Sequence, residues 1–106
     1  MASRAAILFA ALLSASGASA TDYTALSGDR LAEFVRQDCG SCHGLTMKGG
    51  LGRPLTADRL THFDVESIRD IVIDGIPGTA MPPWAGILTD EQADWIARRL
   101  KEGSLQ

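Results

Sequence analysis

The chain has 106 residues, 45% of them apolar and 22% charged, with ten Lys and Arg against thirteen Asp and Glu for a net charge of −3. That length holds one small domain and excludes a multidomain enzyme. The acidic balance argues against nucleic acid, whose binding rests on Lys and Arg neutralising phosphates.

Residues 1–20 have the three parts of a secretory signal: basic Arg4, an apolar run from Ala5 to Leu13, and a small-residue end at Ala18-Ser19-Ala20. The run is well short of the roughly 20 residues that span a bilayer, so the expectation is a cleaved leader and no membrane span in what remains. Cleavage after Ala20 leaves 86 residues with nine basic groups against thirteen acidic ones, a balance of −4. So short a chain builds a thin core, and domains of this size often need a disulfide, a metal or another internal prop.

Residues 21–26 read as an unstructured start. Leu31, Phe34, Val35 and Cys39 then recur at helical steps, with Ser27 and Asp29 as cap region and first-turn acid. From His43 to Pro54 the glycines at 44, 49, 50 and 52 predict a loop whose backbone passes close to something. A short helix is expected from Thr56, and a better one from Asp64, where Phe63 can staple onto Ile68 and where Gly75 stops the helix. Its acids Asp64, Glu66, Asp70 and Asp74 read as a solvated face. Three prolines make Ile76–Trp84 a stiff loop. Thr89-Asp90-Glu91-Gln92 is a capping box that opens a last helix, with Ala93, Ile96, Ala97 and Leu100 on one face, Trp95 beside it, and Gly103 at its end. No alternating β-branched run appears, so the fold class is all-α.

The chemistry is concentrated in Cys39-Gly40-Ser41-Cys42-His43, the attachment pattern of a c-type haem. On a helix these three side chains stand at i, i+3 and i+4 and share a face. Two thiols can then bond to the porphyrin while the imidazole takes the iron. Three plainer readings compete. A redox-active Cys-x-x-Cys needs a strand–helix–strand setting. A zinc site from Cys39, Cys42, His43 and His62 pairs adjacent ligands awkwardly and lacks finger spacing. A structural disulfide leaves His43 and the glycine loop unexplained. On the haem reading, the sixth ligand must be Met47, His62 or Met81. Met47 is four residues from His43, at most about 14 Å of chain, too short to pass round the porphyrin; it reads as a core or haem-edge contact. His62 reads as a surface residue beside a helix cap. Met81, in the proline-stiffened loop, remains.

The order of helix, Cys-x-x-Cys-His-Gly, glycine loop with Pro54-Leu55, Met81-Pro82 and final helix resembles class I cytochrome c along all 86 residues of the expected mature chain. That resemblance implies a single-domain fold around one covalent haem c, and a first helix that crosses the last through Leu31, Phe34 and Val35 against Trp95, Ile96 and Leu100. It also implies that the carbonyl of Pro54 accepts the second-nitrogen proton of His43. Trp84 is expected as an aromatic wall of the haem pocket, with its indole N–H within reach of a propionate.

The segments Gln37–Leu45, Gly49–Gly52 and Met81–Gly86 are similar to the small NirC-type cytochromes of denitrification operons. The resemblance implies a periplasmic one-electron carrier, not an enzyme, whose partner is the cytochrome cd nitrite reductase. An assembly role in d-type haem maturation is the alternative, and a ligand-binding haem protein in which Met81 dissociates is another. The docking rim is expected around Met47, Gly49, Gly50 and Pro82-Pro83-Trp84.

Overall fold

The computed structural model describes residues 11–14, 16–17 and 21–106. Most of the expected leader, including Arg4 and the cleavage point after Ala20, lies outside the described residues. Among the described residues no helix is long and apolar enough to cross a membrane. The architecture is helical, and the sole pairing of extended backbone among the described residues is an isolated bridge between Ala85 and Leu88.

Helix α1, Gly28–Phe34, runs through a π-helical stretch, Val35–Cys39, into α2, Gly40–His43. The junction residues Phe34, Val35, Cys39 and Gly40 all keep right-handed helical dihedrals, so the path is continuous. Leu31, Phe34 and Val35 are buried as the stripe predicted. Cys39 is not in line with them: it is half-buried, and Gly40 is buried instead. A π turn holds an extra residue, which rotates everything after it relative to the stripe.

Residues 21–26 are not unstructured, because Tyr23–Ala25 form a 3-10 turn capped by Asp22, whose Oδ1 accepts from the Thr24 amide at 3.0 Å. A second 3-10 turn, Ala57–Leu60, follows Thr56. Helix α3, Val65–Asp74, starts on Asp64, and α4, Asp90–Glu102, starts on the predicted box, in which Thr89 and Gln92 cap one another. Buried Gln92 has a second task. Its Nε2 donates to the carbonyls of Tyr23 and Leu26, both at 2.8 Å, and so ties the N-terminal turn to α4.

The core joins Leu31 and Val35 to Ala93, Ile96, Ala97 and Leu100 of α4, to Ile68 and Val72 of α3, and to Met47, Leu60, Leu88 and Leu105. Helix α4 packs most extensively against α3. Its other side faces the first helical segment, where Ala32 and Arg36 lie across a cleft from Trp95 and Arg99. The acids of α3 are exposed as expected, and Arg69 bridges Glu66 and Asp70 at 3.5 and 3.0 Å.

The α3 cap predicts a pH effect. The Asp64 carboxylate accepts the Ser67 amide at 2.7 Å, and hydrogen bonds from Ser67 hold its pKa below the ordinary carboxylate value. A depressed folded-state pKa means that this stabilisation is complete above the unfolded value and is lost as pH falls through the folded one. Asp64→Asn, which keeps a capping oxygen, should therefore flatten the acid limb of stability against pH while changing neutral stability little, as thermal unfolding across that range can measure.

Candidate haem site

His43 ends α2 with a half-buried ring whose Nδ1 lies 2.7 Å from a backbone carbonyl. A carbonyl can only accept, so Nδ1 carries the proton and Nε2 is left with its lone pair free for a metal. The acceptor is Arg53, not Pro54. A residue before proline is biased to extended backbone, where successive carbonyls point to opposite sides. The Arg53 carbonyl and the Leu55 amide both turn to the 43–47 loop, the latter donating to Met47 O at 2.8 Å. The Pro54 ring instead supports the loop from the other side: a Cβ on Gly49 would stand 3.2 Å from it.

Gly52 presses on the imidazole at the same Nδ1–Cε1 edge, because a Cβ there would lie 2.9 Å from both Cε1 and Nδ1 of His43. The close approach predicted for this loop is therefore to the histidine itself. Met47 is fully buried and, among the described residues, is the one non-glycine with a left-handed φ, 60°. It belongs to the core, as one of its two expectations held, and drops out of the docking rim.

Met81 is held by a different set of contacts. The Thr79 hydroxyl donates to Ile76 O at 2.7 Å and accepts from the Met81 amide at 3.3 Å, while the Ile76 amide donates to Met81 O at 3.2 Å. Beyond it, the amides of Trp84 and Ala85 donate to Val72 and Ile73, carbonyls that the end of α3 leaves free. Gly75, at φ 66°, lets the loop close on the helix: a Cβ there would stand 2.8 Å from Met81 O. Thr79 was not singled out in the sequence, and its signal was available as a hydroxyl two residues before the methionine in a turn.

His43 and Met81 both line one cavity with about 730 Å³ of empty space, part of it open to solvent, whose remaining wall is Arg53, Leu55, Leu60, Phe63, Ile68, Ile71, Val72, Ile76 and Leu100. The apolar lining, with one imidazole and one thioether in it, suits a cofactor site. Trp84 is not in this wall. It packs edge-on against Phe34 at 5.5 Å between centroids, and its backbone amide is bonded to Val72 O of α3. His62 is exposed, and among the described residues no three of His, Cys, Asp and Glu gather as a metal site, so the zinc set is not assembled.

Cys39 and Cys42 are both free thiols. Burial, then Asp38 and Cys42, push the Cys39 thiol up to about 11. A redox Cys-x-x-Cys works through a depressed thiolate, so this environment disfavours that reading. The donor set fits a covalent haem: two free thiols on the helical path that ends in His43, though neither lines the cavity, one imidazole with its Nε2 available, and a thioether in the same wall as the imidazole.

The family model described as cytochrome c oxidase, cbb3-type, subunit III matches residues 27–98. A curated relative, cytochrome c55X of Paracoccus denitrificans (strain Pd 1222), is 61% identical over 69 residues, which cover 65% of this chain and 67% of the relative. The chain spans about two thirds of the length of the curated cytochromes c55X it matches. Among solved structures, a c-type cytochrome NirC superposes with a TM-score of 0.70 at 47% identity, covering 73% of this chain and 91% of that one. A dihydro-heme d1 dehydrogenase NirN in complex with DHE superposes at 0.62 and 33% identity, over 65% of this chain and 15% of that one.

Proposed function

This chain belongs to the c-type cytochromes, as a small NirC-like member, and we propose that it is an exported, periplasmic one-electron carrier which donates to the cytochrome cd nitrite reductase of denitrification. Covalent haem c is the family's cofactor. In the proposed assignment one haem is bound through Cys39 and Cys42, with His43 and Met81 as the axial pair and Pro54 and Trp84 as supports behind the pocket.

The observation that carries the reading is the presence of His43 and Met81 in one apolar wall. The haem, when bound, supplies the reversible ferric–ferrous couple. The chain's own residues supply the rest. Arg53 O fixes the imidazole tautomer, Gly52 limits its tilt, and the Thr79 turn with the α3 clamp holds the thioether. Were His43 and Met81 both to hold the iron, no position would be left for a substrate, which favours electron transfer over catalysis, and such ligation would raise the potential.

A second reading has support of its own. One structural relative is a dihydro-heme d1 dehydrogenase, which points to a role in d-type haem maturation. The protein isolated reduced from the periplasm, when mixed with oxidised cytochrome cd nitrite reductase, should lose its ferrous bands at least as fast as the reductase turns over. Slower reoxidation would reject the donor role and favour maturation. Docking should be small, in the class below about 1,200 Å².

A further inference from the structure

The cavity wall holding His43 and Met81 contains a single cation. Arg53 lines it, and its guanidinium carbon stands 5.9 Å from the ring centroid of Phe63, which lines it too. Arginines 36, 59, 69, 98 and 99 each have a carboxylate within 4.0 Å. Arg53 has none among the described residues. An unpaired cation laid along an otherwise apolar wall suits a ligand that is apolar over its body and anionic at its edge. A haem, with its macrocycle and two carboxylates, has that character.

We infer that the Arg53 side chain is the subsite for a haem carboxylate, and that its charge favours the ferrous over the ferric protein. The inference rests on the haem reading proposed above and adds a role for one side chain. The geometry makes that role separable. His43 is oriented by the Arg53 backbone carbonyl, which every substitution at 53 retains, so a change of side chain tests charge without removing the imidazole's partner. A positive charge near the iron opposes the extra positive charge of the ferric state. For an exposed group whose field solvent weakens, the effect is about three- to tenfold on the ferrous-to-ferric ratio.

The test compares Arg53→Gln, Arg53→Lys and Lys48→Gln, the last removing an exposed cation of the same loop that does not line the cavity. Each holoprotein is equilibrated with a redox dye, and the haem propionate bending band is read by resonance Raman. Arg53→Gln should shift the equilibrium towards ferric by about three- to tenfold and move the propionate band. Arg53→Lys should restore most of the shift, and Lys48→Gln should move neither. A shift in Arg53→Gln no larger than that of Lys48→Gln, or an unmoved propionate band, overturns the inference. Failure of the underlying reading is distinct, since wild-type protein would then release its haem into acidified organic solvent.

Discussion

Met81→Ala should abolish the near-infrared sulfur-to-iron band of the oxidised protein, change the spin state and lower the reduction potential. The fall should exceed about 59 mV, a tenfold change in the ferrous-to-ferric ratio, because a thioether favours ferrous iron. The fold offers no replacement donor. Met47 is fully buried in the core, with its amide on Gly44 O and its carbonyl taken by Leu55. His62 is exposed, two residues before α3 begins. Met47→Ala should therefore leave the axial spectrum intact while costing about 2–5 kcal/mol of stability through the cavity it leaves, and His62→Ala should alter neither. A parent protein that lacks the band, and whose spin state changes in His62→Ala but not in Met81→Ala, would mean a bis-histidine iron.

What the sequence made legible was whatever side-chain type and spacing encode. The α4 start is an example, since Thr89 and Gln92 are three residues apart and the reciprocal cap follows from that spacing. The second task of Gln92, holding Tyr23 O and Leu26 O, joins residues more than sixty positions apart, and no local pattern announces it. The π stretch was hidden for another reason. It is a change in hydrogen-bond register, and residues 35–39 keep an ordinary helical composition.

The candidate ligand residues stand out by type and spacing, but the contacts that position them were only partly readable. A proline near a haem motif draws attention to Pro54, yet its steric effect acts on the residue before it, and the acceptor is Arg53. Chain length removed Met47 from the ligand candidates, but its burial goes with the left-handed reversal at that residue, which the sequence does not announce. Trp84 shows the same limit. Its size suggested a pocket wall, whereas the ring packs on Phe34, a tertiary contact fifty residues back in the chain that no local pattern encodes.

Gly52→Ala should strike the His43 ring directly. The added Cβ would stand 2.9 Å from two ring atoms of His43 and 3.4 Å from Cys42 O. Neither side can yield easily. The Gly52 amide is tied to Cys42 O at 2.7 Å and its carbonyl to the Gly50 amide at 3.0 Å, while the Nδ1 that the methyl would press is itself held by Arg53 O. Gly52 has no left-handed φ, so the effect is steric overlap and not backbone strain. The ring must tilt, which weakens the Nδ1–H···O bond and misdirects Nε2. Overpacking costs about 1–3 kcal/mol and a weakened hydrogen bond about 1 kcal/mol more, so denaturant unfolding of the holoprotein should show a loss of about 2–4 kcal/mol. Haem incorporation, followed by haemochrome absorbance per polypeptide, should fall with it. Neighbouring Leu51 is 95% exposed, and Leu51→Ala should stay within about 0.5 kcal/mol of the parent. A Gly52→Ala protein with parental stability and haem content would show that the imidazole does not occupy this position when haem is bound, and the tautomer argument for His43 would fall with it.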